Sequence, residues 1–182
     1  DLKVRYQFNL GDIGLDDWGS MTIQGAATKL DVWEYQKFVT DEMSSPLGKR
    51  NRFLGEAPPL PELKANLMLT WVNGNHSATF NTRYIDEVEY DGYSWGSDFF
   101  DQFPYFTGFD TDIRDTLRPS TISDVAYNYR GMEIAGTDVD LTFGARNVFD
   151  RLPQRVNDFA GMESILYDGR GRLIYGRITI EF

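Results

Sequence analysis

Over its final stretch the chain alternates at every step: Ile174, Ile178 and Ile180 fall on one side of an extended backbone, and Tyr175, Arg177, Thr179 and Glu181 on the other. Such a strand has one face made for an apolar medium and one made for water. The period recurs along the sequence. Residues Leu2 to Leu10 put Leu2, Val4, Tyr6, Phe8 and Leu10 opposite Lys3, Arg5, Gln7 and Asn9. A second segment runs from about Ser20 to Tyr35, with a change of phase near Thr28 that fits a bulge. A third sets Leu63, Ala65, Leu67, Leu69 and Trp71 against Lys64, Asn66 and Thr70. After the tight-hairpin signal Asn73-Gly74-Asn75, a fourth sets Ala78, Phe80, Thr82 and Tyr84 against Thr79, Asn81 and Arg83. Val125, Tyr127 and Tyr129, then Val139, Leu141, Phe143 and Ala145, mark a fifth and a sixth, and residues 172 to 182 the seventh.

Composition narrows what such strands can build. The chain has 182 residues, 41% hydrophobic and 15% aromatic, with no cysteine and a net charge of −10. The acidic balance argues against nucleic acid, whose phosphates need a basic face. Without cysteine there are no disulfides and no thiolate metal sites. No apolar run is long enough for a membrane-crossing helix, and no leader-like segment opens the chain. Barrel strands hide half their residues from lipid, so an ordinary mean hydropathy does not count against a membrane.

Link lengths give the stronger argument. Short links fall near 11–19, 73–75 and 131–137; long ones near 36–61, 87–119 and 150–171. Outer-membrane barrels have that rhythm, with short periplasmic turns and long extracellular loops. Trp71 near one end and Trp33, Tyr35 and Tyr84 near the other fit interfacial girdles. The expected fold is therefore all-β, an antiparallel transmembrane β-barrel segment. Its polar wall would carry Lys3, Arg5, Lys64, Arg83, Asp124, Arg130, Asp140 and Arg146, expected to form cross-strand pairs.

Three stretches carry a resemblance. Leu67-Met-Leu-Thr-Trp-Val-Asn-Gly74 leading to Arg83-Tyr-Ile-Asp86, then Phe143-Gly-Ala-Arg-Asn-Val-Phe-Asp150, then Gly171-Arg-Leu-Ile-Tyr-Gly-Arg-Ile-Thr-Ile-Glu-Phe182, are similar to the C-terminal part of TonB-dependent outer-membrane receptors. The resemblance spans nearly the whole chain and is weakest in the long loops. It implies that residues 1–182 are about seven C-terminal strands of a 22-stranded barrel whose plug, TonB-coupling box and earlier strands are absent. It also implies a bacterial outer-membrane location and active uptake of a scarce solute such as a siderophore, cobalamin or oligosaccharide. The implied partners are the N-terminal remainder of the receptor, the TonB complex acting through that remainder, and the lipid bilayer. Seven strands are too few to close a bacterial barrel. The chain is accordingly expected to be a piece, with Asp1 at the extracellular end.

Candidate ligand-binding residues concentrate in the segment from Asp86 to Asp115, which holds nine acids against Arg114 alone. Tyr90, Tyr93, Trp95, Asp98, Phe99, Phe100, Asp101, Phe103, Tyr105 and Asp110 are the expected ligand contacts. Rings can stack on sugar or porphyrin faces, and the acids can accept hydrogen bonds or hold a cation. The bland alternative is a loop whose rings pack on one another and whose acids are solvated. Asp110, Asp112 and Asp115 lack the glycine and terminal glutamate of an EF-hand loop, so no metal or cofactor is expected. The single histidine, His76, sits beside a turn with no carboxylate that the sequence places near it, so no catalysis is expected. Two other readings stay open: a small self-closing eight-stranded adhesion or recognition barrel, with its extra strand within residues 36–61, and a soluble glycan-binding β-sandwich.

Overall fold

The computed structural model describes residues 1–36, 38–51, 58–89, 116–156 and 161–181, the last of these by its backbone only. Its strands are β1 (Leu2–Asn9), β2 (Ser20–Lys29), β3 (Leu63–Asn73), β4 (His76–Ile85), β5 (Val88–Glu89), β6 (Thr116–Leu117), β7 (Ser120–Ile134), β8 (Thr137–Arg146) and β9 (Leu173–Glu181). Seven of them form one antiparallel sheet in the order β1-β2-β3-β4-β7-β8-β9, and β5 pairs with β6. Every neighbour in the large sheet is also the next long strand in sequence, so the sheet is a simple meander. It does not close, because β1 and β9 lie at opposite edges.

The registers put the apolar sets of all seven strands on one face. Phe8 pairs with Met21, Met21 with Trp71, Trp71 with Ala78, Ala78 with Tyr127, and Tyr127 with Phe143. A second such row runs Tyr6, Ile23, Leu69, Phe80 and Val125. A slip of one residue anywhere would turn a whole strand over, so this agreement is what the alternation requires. Much of the face is uncovered among the described residues, where Tyr6 is 60% exposed, Phe143 58% and Ile178 67%, although Val139 on it is buried. The buried apolar residues are few, and four of them, Val88, Leu117, Val156 and Tyr167, cluster under the long links instead.

Local chemistry sets the strand ends. The β3–β4 hairpin turns on Gly74 at φ +55°, and the β7–β8 hairpin on Ala135 and Gly136 at φ +52° and +83°, the two left-handed positions of a type I′ turn. β2 stops at Lys29 and pairs regularly with β3 throughout, so the bulge expected near Thr28 is not formed. The irregularity lies in β7 instead, between Tyr129 and Met132, where Gly131 (φ +70°) donates its backbone N–H to Asp140 at 2.9 Å. The Gly169-Arg-Gly171 stretch, which reads as a hairpin apex, lies in the irregular approach to β9, where Arg170 pairs with Asp168.

Candidate functional site: the loop cap and the polar face

All three long links rise from one end of the sheet and are tied together there. The backbone N–H of Arg50 donates to the Glu89 carbonyl at 3.0 Å, and Glu89 donates to Gly48 at 2.6 Å. The β5–β6 ribbon thus locks onto the first link. Across the cap, Arg50 and Glu163 form an ion pair between side chains that are 2% and 5% exposed. That pair joins the first link to the third. The second joins the third through Gln154, which accepts from the backbone N–H of Arg118 at 3.0 Å, and through Tyr167, whose hydroxyl donates to the Arg118 carbonyl at 3.3 Å. Val88 and Leu117, essentially fully buried, seal the space between them with Val156, Tyr167, Ile85 and Leu166. Burial, and then the Glu163 carboxylate, push the Tyr167 hydroxyl up to about 12. On the cap's surface, the guanidinium of Arg170 holds the Asp168 carboxyl down at about 2.

A second knot joins the cap to the wall. Asn147, nearly buried and at φ +50°, donates its backbone N–H to Asp124 at 2.9 Å. Its side chain accepts from the backbone of Arg151 at 2.9 Å and donates to the Arg151 carbonyl at 2.7 Å. Val148 donates to the Ser123 carbonyl, and Asp150 accepts from the backbone N–H of Arg172. The Arg-Asn-Val-Phe-Asp stretch is therefore a fastener that binds the end of β8 to β7 and to the start of β9.

Glu89 and Thr116 face each other in the ribbon, so both ends of the acid-rich, aromatic segment between them are held side by side on this cap. The expected ligand contacts Tyr90, Tyr93, Trp95, Asp98, Phe99, Phe100, Asp101, Phe103, Tyr105 and Asp110 lie outside the described residues, as do Asp112 and Asp115. Of the acids at the segment's foot, Asp86 is engaged locally: it accepts from the Tyr84 hydroxyl at 2.8 Å and from the backbone N–H of Glu87 at 3.0 Å.

Comparison with known protein families, curated proteins and solved structures finds no match to this chain.

The polar face departs from expectation. Of its charged side chains only Arg83 and Asp124 form an ion pair among the described residues, at 3.0 Å. Amides and hydroxyls do much of the other cross-strand bonding: Asn66 donates to Asn81 at 2.7 Å, and Thr142 to Asn128 at 2.8 Å. Lys3, Val4, Arg5 and Gln24 line an open hollow of about 300 Å³ with Gly25, Ala26 and Asn66. His76 is exposed beside the β3–β4 turn, as the first residue of β4. Its ring shares a hydrogen bond of 2.5 Å with the Tyr127 hydroxyl and stands edge-on to Tyr129 at 4.8 Å, and no described group of three or more His, Cys, Asp or Glu could hold a metal.

The residues that build the cap, Arg50, Val88, Leu117, Glu163 and Tyr167, carry no periodic signal in the sequence. They sit in aperiodic stretches, and the only hint is the isolated apolar pair Val88 and Leu117 flanking the acid-rich segment.

Proposed function

We propose that this chain is part of the wall of an outer-membrane active importer of the TonB-dependent kind, with its apolar face against lipid, its polar face towards the lumen and its loop cap at the cell surface. The observation that carries this reading is the uncovered apolar face, continuous across seven strands whose outer edges have no partner among the described residues. In hydrocarbon each orphaned backbone group costs several kcal/mol, roughly, so both edges call for further strands from the remainder of the receptor. The row Phe8, Trp71, Tyr127 and Phe143 near the short-link end suits an interfacial girdle. In this role the cap presents the aromatic segment to a scarce solute, a siderophore, cobalamin or an oligosaccharide, and energy arrives from TonB through the rest of the receptor. No bond of the solute is made or broken.

The other two readings fit less well. A self-closing small barrel needs β1 beside β9, and a soluble sandwich needs a second sheet over Tyr6, Leu67 and Phe143; neither arrangement occurs among the described residues.

The absence of cysteine makes the test direct. Single cysteines at Val4, Leu67, Phe143 and Ile178, labelled with a fluorophore in the intact receptor in vesicles, should be quenched by brominated lipid. Labels at Arg5, Asn66, Thr142 and Arg177 should be quenched by aqueous iodide instead. Water-side quenching at the first set would end the membrane-wall reading. Transport is tested by uptake of radiolabelled ferric siderophore, cobalamin and maltooligosaccharide in cells carrying the receptor. One of the three should enter in a protonophore-sensitive way, and Trp95→Ala with Phe100→Ala should weaken its capture at least tenfold. Uptake that ignores the protonophore would remove the importer assignment.

A further inference from the structure

Charge is segregated along the polar face. In the registers nearest the cap, Lys3 stands in the row of Ala26, Asn66 and Arg83, while Arg5 stands in the row of Gln24, Met68, Asn81 and Asp124. Lys64 lies one register above, and Arg146, one residue beyond the Val125–Ala145 pair, is level with Asp124. Five cations thus share this end of the face, and Asp124, the acid level with Arg5 and Arg146, is already engaged by Arg83 and by the backbone N–H of Asn147. At the short-link end the sign reverses: Glu133 pairs in register with Asp138, and Asp140 lies close by, with Arg130 the one cation. A chain of net charge −10 thus concentrates positive charge in one band of one face. Lys3, Arg5, Lys64 and Arg146 are exposed and without an ion pair among the described residues. Like charges gathered on one face of a sheet repel, so packing alone gives no reason to assemble them.

The hollow lined by Lys3, Arg5, Gln24 and Asn66 lies in this band. Its lining combines two cations with two amides that can donate hydrogen bonds, over a floor kept low by Ala26. At about 300 Å³ it has the capacity of a small-molecule site rather than of a polypeptide groove.

We propose that this band, centred on Lys3, Arg5 and Lys64, is a binding site for a small polyanion of the polycarboxylate or phosphate class, held on the lumenal wall just beneath the cap. The proposal rests on the importer reading for the word lumenal, and it narrows the solute to one carrying several negative charges. Ammonium and guanidinium groups would meet the anionic oxygens, with Gln24 and Asn66 donating to those facing the sheet. The acidic far end of the face would then disfavour the same anion, leaving the cap-side band as its resting place.

The test uses the intact receptor and trimesate (benzene-1,3,5-tricarboxylate) as probe, with binding followed by equilibrium dialysis. Trimesate should bind, and the combined Lys3→Gln, Arg5→Gln and Lys64→Gln replacement should weaken it at least tenfold. The charge-keeping set Lys3→Arg, Arg5→Lys and Lys64→Arg should bind within threefold of the unaltered protein, which separates lost charge from lost structure. Maltotriose, being neutral, should not compete. Equal binding by the Gln set, loss in the charge-keeping set, or no binding by the unaltered protein overturns the proposal, as does displacement by an acidic decapeptide at lower concentration than by trimesate itself. Lipid quenching at Ile178, on the far strand, in the same preparation keeps the two questions apart: quenching there with no trimesate bound sinks the anion site and leaves the wall standing.

Discussion

Two single residues show how much of this architecture depends on backbone angles that side chains resist. Ala135 sits at φ +52° as the first central residue of the β7–β8 turn, where a Cβ crowds the following carbonyl. Ala135→Gly or Ala135→Asn should therefore stabilise the protein by about 0.5–1 kcal/mol in urea unfolding from lipid vesicles, since relief of left-handed strain outweighs the added freedom of the unfolded chain. Asn147 is the opposite case. It also holds positive φ, which Asn tolerates, and its amide bridges the Arg151 backbone in both directions. Asn147→Ala strips those bonds inside a nearly buried site and should cost about 2–3 kcal/mol in the same assay. The sequence marks Asn147 as part of a resembling stretch, but only the fold reveals it as the point where β7, β8 and the third long link meet.

Among the elements, the cap is the one whose stability can be tested apart from the sheet. Its ion pair is buried on both sides, so removing Glu163 takes away a buried charge contact that ties the first link to the third. Glu163→Gln should loosen the cap by about 3–5 kcal/mol, read as faster amide exchange at Val88 and Leu117 while the β3–β4 hairpin stays protected. Replacing both, Arg50→Met with Glu163→Leu, should restore most of that protection. The cap should also fail in alkali. Tyr167 loses its proton near 10 in the unfolded chain but only at about 12 in the fold. The unfolded state therefore binds fewer protons between those values, and the cap's stability falls as pH rises through that window. Tyr167→Phe, which has no proton to lose, should flatten the fall in exchange protection. The seven long strands are readable in the sequence because each repeats a period; β5 and β6, two residues apiece, are too short to have one. The phase change at Thr28 misleads because β2 ends at Lys29 and the residues beyond it leave the sheet for an irregular path.

For the whole molecule, the decisive property is that one face of the sheet is apolar across all seven strands and largely uncovered among the described residues. Leu69, at the middle of β3, lies on that face, and Thr70 beside it lies on the other. Leu69→Arg should raise the free energy of folding into vesicles by about 2–4 kcal/mol, the range for a cation on the lipid-facing side of a barrel at mid-membrane. Thr70→Arg should leave it within about 0.5 kcal/mol, as expected of a solvated substitution. Equal penalties at the two positions would show that the faces do not differ in surroundings. Among the described residues the expectation of charge pairs along the polar face does not hold beyond Arg83 and Asp124, because alternation fixes which face a charge occupies but not which charge stands level with it in the next strand.

What the order of residues determined by itself was every property that a local period can encode: seven extended segments, the side each residue takes, and the alternation of tight and long connections. A side chain's face follows from its parity along the strand, and parity is a matter of counting. What the tertiary structure alone decided was whatever depends on register and on distant partners: the open edges, the cation-rich band, the Asn147 fastener, and a cap held by Arg50 and Glu163 from two separate links. Those arise where segments far apart in sequence settle at a shared height and bury a common charge or ring, and no spacing within one segment specifies that meeting.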